Sequence, residues 1–427
     1  MTLALSGDQL ILRSNLRCFL EKEYSPERVR AAIETPAGHD IQAWHRMARE
    51  LGLHGIAIPE RFGGSGATFI ELGVVLTELG RALVPGPFFS TVVIGANALL
   101  SSGDERACAT WLPGIADGRL TATLAVLEAP PSDGAALTTR ARRSGSCWIL
   151  DGAQQVVPDG ANVDLLLVLA STESGPTLFA ISPGLPGVQR THLEPFDLTR
   201  RWGSVRMTEV AAEPVGEIGA GAEIVASTLE LASIGLACEQ VGSAAQCLEL
   251  ATGFAKNREQ FGRPIGAFQS VKHMLADVLL NNEIASAAAE YGAWAIEHSP
   301  QEVPQLASAC RALASDAFLQ AAKANIQVHG AIGFTWEHSA HMYFRRATST
   351  RQHLGSPDTH RERLAAYLFQ GVSDDVPLRL PDPLMLARVD LAEIQHDTPG
   401  KRPAEPPWQE ESDSDIAYRY PPMTEMG

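Results

Sequence analysis

The side chains best suited to chemistry lie in one stretch, Arg258 to His273, reading Arg-Glu-Gln-Phe-Gly-Arg-Pro-Ile-Gly-Ala-Phe-Gln-Ser-Val-Lys-His. Arg258 carries a planar fork of donors suited to a pyrophosphate, Phe261 can lie against a flat ring, and Gln269 can donate and accept. In isolation, R-x-x-F-G is equally an ordinary helical hairpin with a surface arginine. A second group follows as Gln327-Val-His-Gly-Ala-Ile-Gly-Phe-Thr-Trp-Glu-His338, then Tyr343-Phe-Arg-Arg-Ala347. A third candidate is one carboxylate, Glu239, set among Leu236, Ala237, Val241 and Gly242. Burial there would raise its pKa, as a general base requires, although a solvated or hydrogen-bonded Glu is the more frequent case.

These residues need elements to hold them. Leu231 to Asn257 carries apolar residues at helical spacing, diluted by Ala, Gly and Ser, and Val271, Met274, Leu275, Val278 and Leu279 restart the stripe. The motif is therefore a helix end, a sharp Gly-Arg-Pro-Ile-Gly turn and a new helix start. Further upstream, Asp8 to Glu23, Ile41 to Leu51 and Phe69 to Leu83 have the period of packed helices. From Leu120 to about Val215 the texture changes to short β-type runs punctuated by Gly, Pro and Asp, among them Ser146–Leu150, Gln155–Val157 and Asp164–Leu169. The expected fold is α+β and multidomain. It comprises an N-terminal helical domain (1–118), a middle antiparallel β-barrel or sandwich (119–216) and a C-terminal four-helix bundle (217–372). An acidic, Pro-rich tail (373–427) follows, with twelve acidic against five basic side chains. It offers too little apolar surface to offset ordering entropy, and disorder is expected there.

Bulk properties narrow the function class. The 427 residues leave room for two or three domains, and the net charge of -16 argues against a nucleic-acid footprint. Six cysteines show no metal-binding spacing, so no metal is expected and the thiols read as reduced. No basic-then-apolar leader and no uninterrupted apolar run of membrane-spanning length is visible, so the chain is expected to be cytoplasmic, with no membrane span. The glycine-rich loop Gly55 to Gly66 lacks the lysine of a phosphate-binding loop and reads as a turn.

Taken together, R-x-x-F-G-x-x-I-x-x-F-Q-x-x-x-H and Q-V-H-G-x-x-G-F-T-x-E resemble the acyl-CoA dehydrogenase family, over nearly the whole chain to about Gly371. The resemblance implies an FAD site built across a subunit interface and an acyl-CoA thioester substrate. It also implies an electron-transfer flavoprotein or similar acceptor. Arg258 and Phe261 would reach the neighbour's FAD with Gln269 beside them, and Gln327 and Gly330 would hold the adenylate half. In that chemistry a carboxylate removes the α-proton while hydride leaves the β-carbon for the flavin.

Several positions depart from the family pattern. The loop Glu128 to Gly134 matches only loosely, and Val156-Val-Pro-Asp-Gly160 stands where a Trp-x-Ser/Thr flavin contact is expected. The usual base, a Glu before Gly-Thr, falls at Leu354, before Gly355 and Ser356; the second known location falls at Ala232. Neither side chain takes a proton. Either Glu230, Glu239, His353 or Asp358 has assumed the role, with Glu239 the first choice, or the chain is the non-catalytic half of an α2β2 heterotetramer. The second explanation accounts better for a retained Arg258, Phe261 and Gln327 beside a lost base. A homo-oligomer, a flavin-dependent oxygenase of the same fold and a helical scaffold without flavin are the alternatives.

Overall fold

A computed structural model of the protein describes residues 5–126, 137–145 and 147–369. The chain opens with α1 (Gly7–Glu23), α2 (Pro26–Ile33), α3 (Ile41–Arg49), α4 (Phe69–Arg81), α5 (Ala96–Ser101) and α6 (Glu105–Ala116). Local chemistry starts most of them. Ser6 with Gln9, and Thr68 with Glu71, form reciprocal capping boxes, while Asp40 and Asp104 accept from first-turn N–H groups of α3 and α6. A π-helical segment, Phe89–Gly95, leads into α5 and is wholly buried.

The middle region holds β1 (Ala122–Leu124), β2 (Arg140–Ser144), β3 (Cys147–Pro158), β4 (Leu165–Thr172), β5 (Gly175–Ile181), β6 (Val188–Leu193) and β7 (Trp202–Val215). Strands β4, β2, β3, β7 and β5 follow one another and close as β5 returns to β4; β1 joins β4 and β6 joins β7. The antiparallel expectation needs correction, because β1 and β2 both run parallel to β4. Neither is joined to β4 by a hairpin, so the connection does not impose antiparallel pairing. Cys147–Leu150 and Gln155–Val157, expected as parts of two runs, belong to one bulged strand, β3. Strand β2, Arg-Ala-Arg-Arg-Ser, is almost wholly polar and exposed, which hid it from pattern reading.

Strand β4 joins this barrel to the helices. Leu166, Val168 and Ala170 enter the barrel core with Leu150, Phe179 and Val205, whereas Leu165, Leu167 and Leu169 belong to the large helical core. Alternate side chains point to opposite faces of a strand, so one continuous apolar run serves two cores.

The remaining elements are α7 (Gly221–Asn257), a small hairpin β8 (Glu259–Gln260) and β9 (Arg263–Pro264), α8 (Gln269–His298), α9 (Val303–His329), α10 (Ala340–Thr350) and α11 (Pro357–Leu368). Helix α7 is one element, long and apolar enough in length and composition to cross a membrane. Here it forms the middle of the bundle, with α4, α8 and α9 around it. The expected four-helix bundle is three long helices supplemented by the shorter α10 and α11. The closeness of α4 and α7 depends on two glycines. A Cβ at Gly80 would overlap the Glu239 carbonyl oxygen, and one at Gly242 would overlap that of Thr77. The tail 373–427 and the loop 128–134 lie outside the described residues.

Candidate functional site

The end of α7 releases the chain at Arg258, whose backbone is extended and whose N–H still donates to the Phe254 carbonyl (2.8 Å). Strands β8 and β9 then pair around Phe261 and Gly262, both with positive φ (54° and 75°). That is the two-residue hairpin geometry with both central residues left-handed, so the turn lies at Phe261-Gly262, ahead of the Gly-Arg-Pro-Ile-Gly segment read from sequence. Phe261 is 91% exposed and meets the edge of Phe268, over whose ring Arg263 stacks at 4.2 Å. Arg258 makes no side-chain hydrogen bond or ion pair among the described residues.

Gln269 is the first residue of α8, which begins without a capping side chain. The start of a long helix leaves backbone N–H groups free and a positive dipole end. At the far end of α9, Gln327 is exposed and lines a groove with Met274, Asp277, Lys323 and Arg351. Gly330 ends α9 with φ +66°. A small apolar cluster brings these three ends together. Ala251 and Ala255 of α7, Val271 and Met274 of α8, and Val328 of α9 pack in one group, with Phe254 against His329 (4.4 Å). Arg258, Gln269 and Gln327 therefore share one end of the bundle. A free guanidinium and an uncapped helix start supply donors for a pyrophosphate, and an uncovered aromatic ring beside them offers a face for a flat ring. They fit FAD.

Glu239 does not join this group. It lies 19 residues before Arg258 on α7, about 28 Å along the helix axis. Its carboxylate accepts from Arg200 and from Arg346 Nη1 (2.8 Å), and Arg346 also pairs with Asp197 (2.8 Å). Burial pushes the Glu239 carboxyl up, but the Arg200 and Arg346 charges outweigh it and hold the group below the usual carboxylate range. The expectation of a raised pKa is thus corrected. The helix neighbours are apolar as read, yet two guanidinium groups arrive from the β6–β7 connection and from α10. No local pattern marks Arg200 as buried; the only signal for Arg346 was its place in Tyr343-Phe-Arg-Arg-Ala347.

The turn carrying Leu354 is held from below. Arg311, fully buried without a carboxylate partner among the described residues, donates to the Thr350 and His353 carbonyls (2.9 and 2.8 Å) and to Gln240 (2.6 Å). Burial pulls its pKa down to about 9. Leu354 is buried with φ +65°, and His360 bonds its carbonyl (2.9 Å). Ser356 caps α11 by accepting from Thr359, with Pro357 in the first turn. His353 is buried between the edges of Phe89 (5.8 Å) and Trp202 (5.1 Å), and burial pulls its pKa down to about 3. The Arg200 guanidinium covers the Phe89 ring at 5.1 Å. Asp159, at the end of the Val156–Gly160 segment, accepts from Ser90 (2.6 Å) in a fully buried position, and burial raises its pKa. The His353 side of this turn is therefore packed by side chains of this chain.

The other base candidates lie elsewhere. Asp358 is exposed and paired with Arg361 (2.9 Å). Glu230 is half-buried, with its carboxyl pushed up by that burial, and its charge acts on Tyr367 of α11. Ala232 is fully buried.

Comparison with known proteins gives a family. The model of the acyl-CoA dehydrogenase N-terminal domain matches residues 6–119, and that of the C-terminal domain matches residues 219–369. Among relatives, "Acyl-CoA dehydrogenase IpdE2" of Mycolicibacterium smegmatis is 32% identical, covering 86% of this chain and all of the relative. Among solved structures, a variant of the "Tcur3481-Tcur3483 steroid ACAD" superposes with a TM-score of 0.78 at 30% identity, over 86% of this chain and 98% of that one. The ChsE4-ChsE5 complex from Mycobacterium tuberculosis superposes with a TM-score of 0.79 at 25% identity, over 86% and 99%.

Proposed function

Because the chain belongs to the acyl-CoA dehydrogenase family of FAD-dependent oxidoreductases, we propose that it is the subunit without a base in an α2β2 acyl-CoA dehydrogenase. A homologous partner would bring the carboxylate. The observation that carries this reading is the Leu354 turn. Leu354 stands where the family resemblance expects the base, and the adjoining His353 is packed between Phe89 and Trp202, with Arg200 over the Phe89 ring. The chain meanwhile keeps a hairpin whose arginine is unpaired among the described residues and whose phenylalanine stands uncovered.

When bound, FAD takes the hydride equivalent from the β-carbon of an acyl thioester. This chain's part is to hold it. Arg258 neutralises the pyrophosphate with the uncapped start of α8, where Gln269 sits. Phe261 covers a ring face, and Gln327 and Gly330 border the adenylate half. Glu239, clamped by two arginines, holds the β6–β7 connection to α7 and α10 and carries no proton for the reaction. The steroid named for one solved relative suggests a bulky acyl group for the complex, and an electron-transfer flavoprotein is the proposed acceptor.

The test is co-expression with candidate homologous partners, then flavin content and anaerobic flavin bleaching by acyl-CoA. The chain alone should bleach little or none. Arg258→Ala should lower flavin occupancy of the complex without unfolding the chain. Robust turnover by the chain alone, or full flavin retention in Arg258→Ala, refutes the assignment.

A further inference from the structure

A second cavity, of 310 Å³, opens between the N-terminal helices and the bundle, enclosed by α1, α4, α7 and α8. It is separate from the cofactor hairpin. Asn282, which lines it, lies thirteen residues beyond Gln269 on α8, about 20 Å along the helix. The volume is at the small end of the roughly 300–1,000 Å³ typical of ligand pockets.

Its wall is uneven in a way that selects chemistry. Asn282 is 5% exposed, and its Oδ1 is buried without a hydrogen-bond partner among the described residues. A buried acceptor left unmatched costs on the order of 1–3 kcal/mol, so this atom calls for a donor. The next residue, Glu283, also lines the cavity and makes no ion pair among the described residues. The other charges are largely balanced. Arg17 is bound to Glu78 (2.5 Å), and Arg13 faces Glu290, whose carboxyl burial and Glu283 push up while Arg13 opposes them. One negative charge is left over at the Asn282–Glu283 end. The rest of the lining includes Ile70, Val74, Val241 and Ala289.

We propose that this cavity binds a small organic ammonium ion with an apolar body. The ammonium donates to Asn282 Oδ1 and to the Glu283 carboxylate, and the hydrocarbon lies along Ile70, Val74 and Ala289. A carboxylate or phosphate ligand would meet Glu290 and Glu283, the latter unpaired among the described residues, and Arg13 already faces Glu290. Acyl-CoA and its fragments are therefore unsuited to the site. Charge and depth together set the class: a primary amine carrying a short alkyl or aryl group.

The experiment titrates the full chain with n-hexylamine by calorimetry, with hexanol and hexanoate as matched probes. Hexylamine should bind saturably and hexanoate should not. Glu283→Gln and Asn282→Leu should each weaken hexylamine about tenfold or more, the loss expected of a hydrogen bond to a charged group. Glu283 is exposed and its substitution leaves the fold intact, while leucine matches the shape of Asn282 and removes the orphaned acceptor. Flavin content of the assembled complex should not change in either variant. Absence of saturable amine binding, equal binding of hexanoate, or hexylamine affinity unchanged in both variants overturns the proposal.

Discussion

Replacing Glu239 by Gln separates a base from a structural ion. The carboxylate is buried between Arg200 and Arg346, and Asp197 is the only other carboxylate paired with Arg346 among the described residues. Glutamine preserves the shape and one acceptor oxygen but removes the negative charge that two guanidinium groups share. Leaving a buried charge uncompensated costs about 3–5 kcal/mol. The retained acceptor and Asp197 place the expected loss near the lower end, roughly 3 kcal/mol, against a typical total of about 5–15 kcal/mol. The pH dependence has a defined sign. Because the folded-state pKa lies below the ordinary value, the Glu239 contribution is complete above the unfolded-state pKa and disappears as pH falls through the folded value. Wild type and variant should therefore differ most near neutral pH and converge in acid. The assay is urea unfolding of the assembled complex at neutral and acidic pH, with anaerobic flavin bleaching measured on the same samples. An Arg346→Met, Glu239→Gln double variant should lose less than the two single variants summed, since they share one interaction. An unchanged unfolding midpoint in Glu239→Gln, with bleaching slowed by about 100-fold or more, would refute the structural role and restore Glu239 as the base.

Two further outcomes follow from buried groups. His54 is fully buried between Trp44 and Phe88, neither ring nitrogen has a partner among the described residues, and burial pulls its pKa down to about 3. The unfolded chain takes up a proton below about pH 6.5 that folded His54 refuses, so stability falls with pH from there, by about 2 kcal/mol at pH 5. His54→Leu should be close to neutral at pH 7.5, because no hydrogen bond is lost, and should lose about 2 kcal/mol less than wild type on going to pH 5. An unchanged pH slope in urea titrations would show that His54 is not the neutral buried group described. Gly242→Val places a side chain on the Thr77 carbonyl, so α4 and α7 must part. It should yield little folded protein, whereas Gly253→Ala, where nothing lies within 4 Å of the added carbon, should be tolerated; equal soluble yields would disprove the close crossing.

Much of this was legible from short-range rules. The stripe from Leu231 to Asn257, the restart after Gln269 and the Ser356-Pro357 helix start follow from periodicity and capping, which act over three or four residues. So does the Arg258–Phe261–Gln269 grouping, because a hairpin keeps sequence neighbours close in space. The order of helices, strands and helices likewise needed only local texture.

Tertiary structure decided the rest. The charge environment of Glu239 comes from Arg200 and Arg346, 39 and 107 positions away. A pKa depends on distance in space and not along the chain, so the apolar helix neighbours pointed in the wrong direction. The parallel pairing of β1 and β2 with β4, the polar strand β2, and the grip of Arg311 on the Leu354 turn also depend on long-range contacts without a local pattern. Gln327 came to the same end of the bundle as Arg258 only because Ala255, Val271 and Val328 pack together. Sequence alone showed arginine and phenylalanine at Arg258 and Phe261, and leucine and alanine at Leu354 and Ala232. Packing decided what surrounds each of them, because burial and charge are set by neighbours that the chain brings back from far along its length.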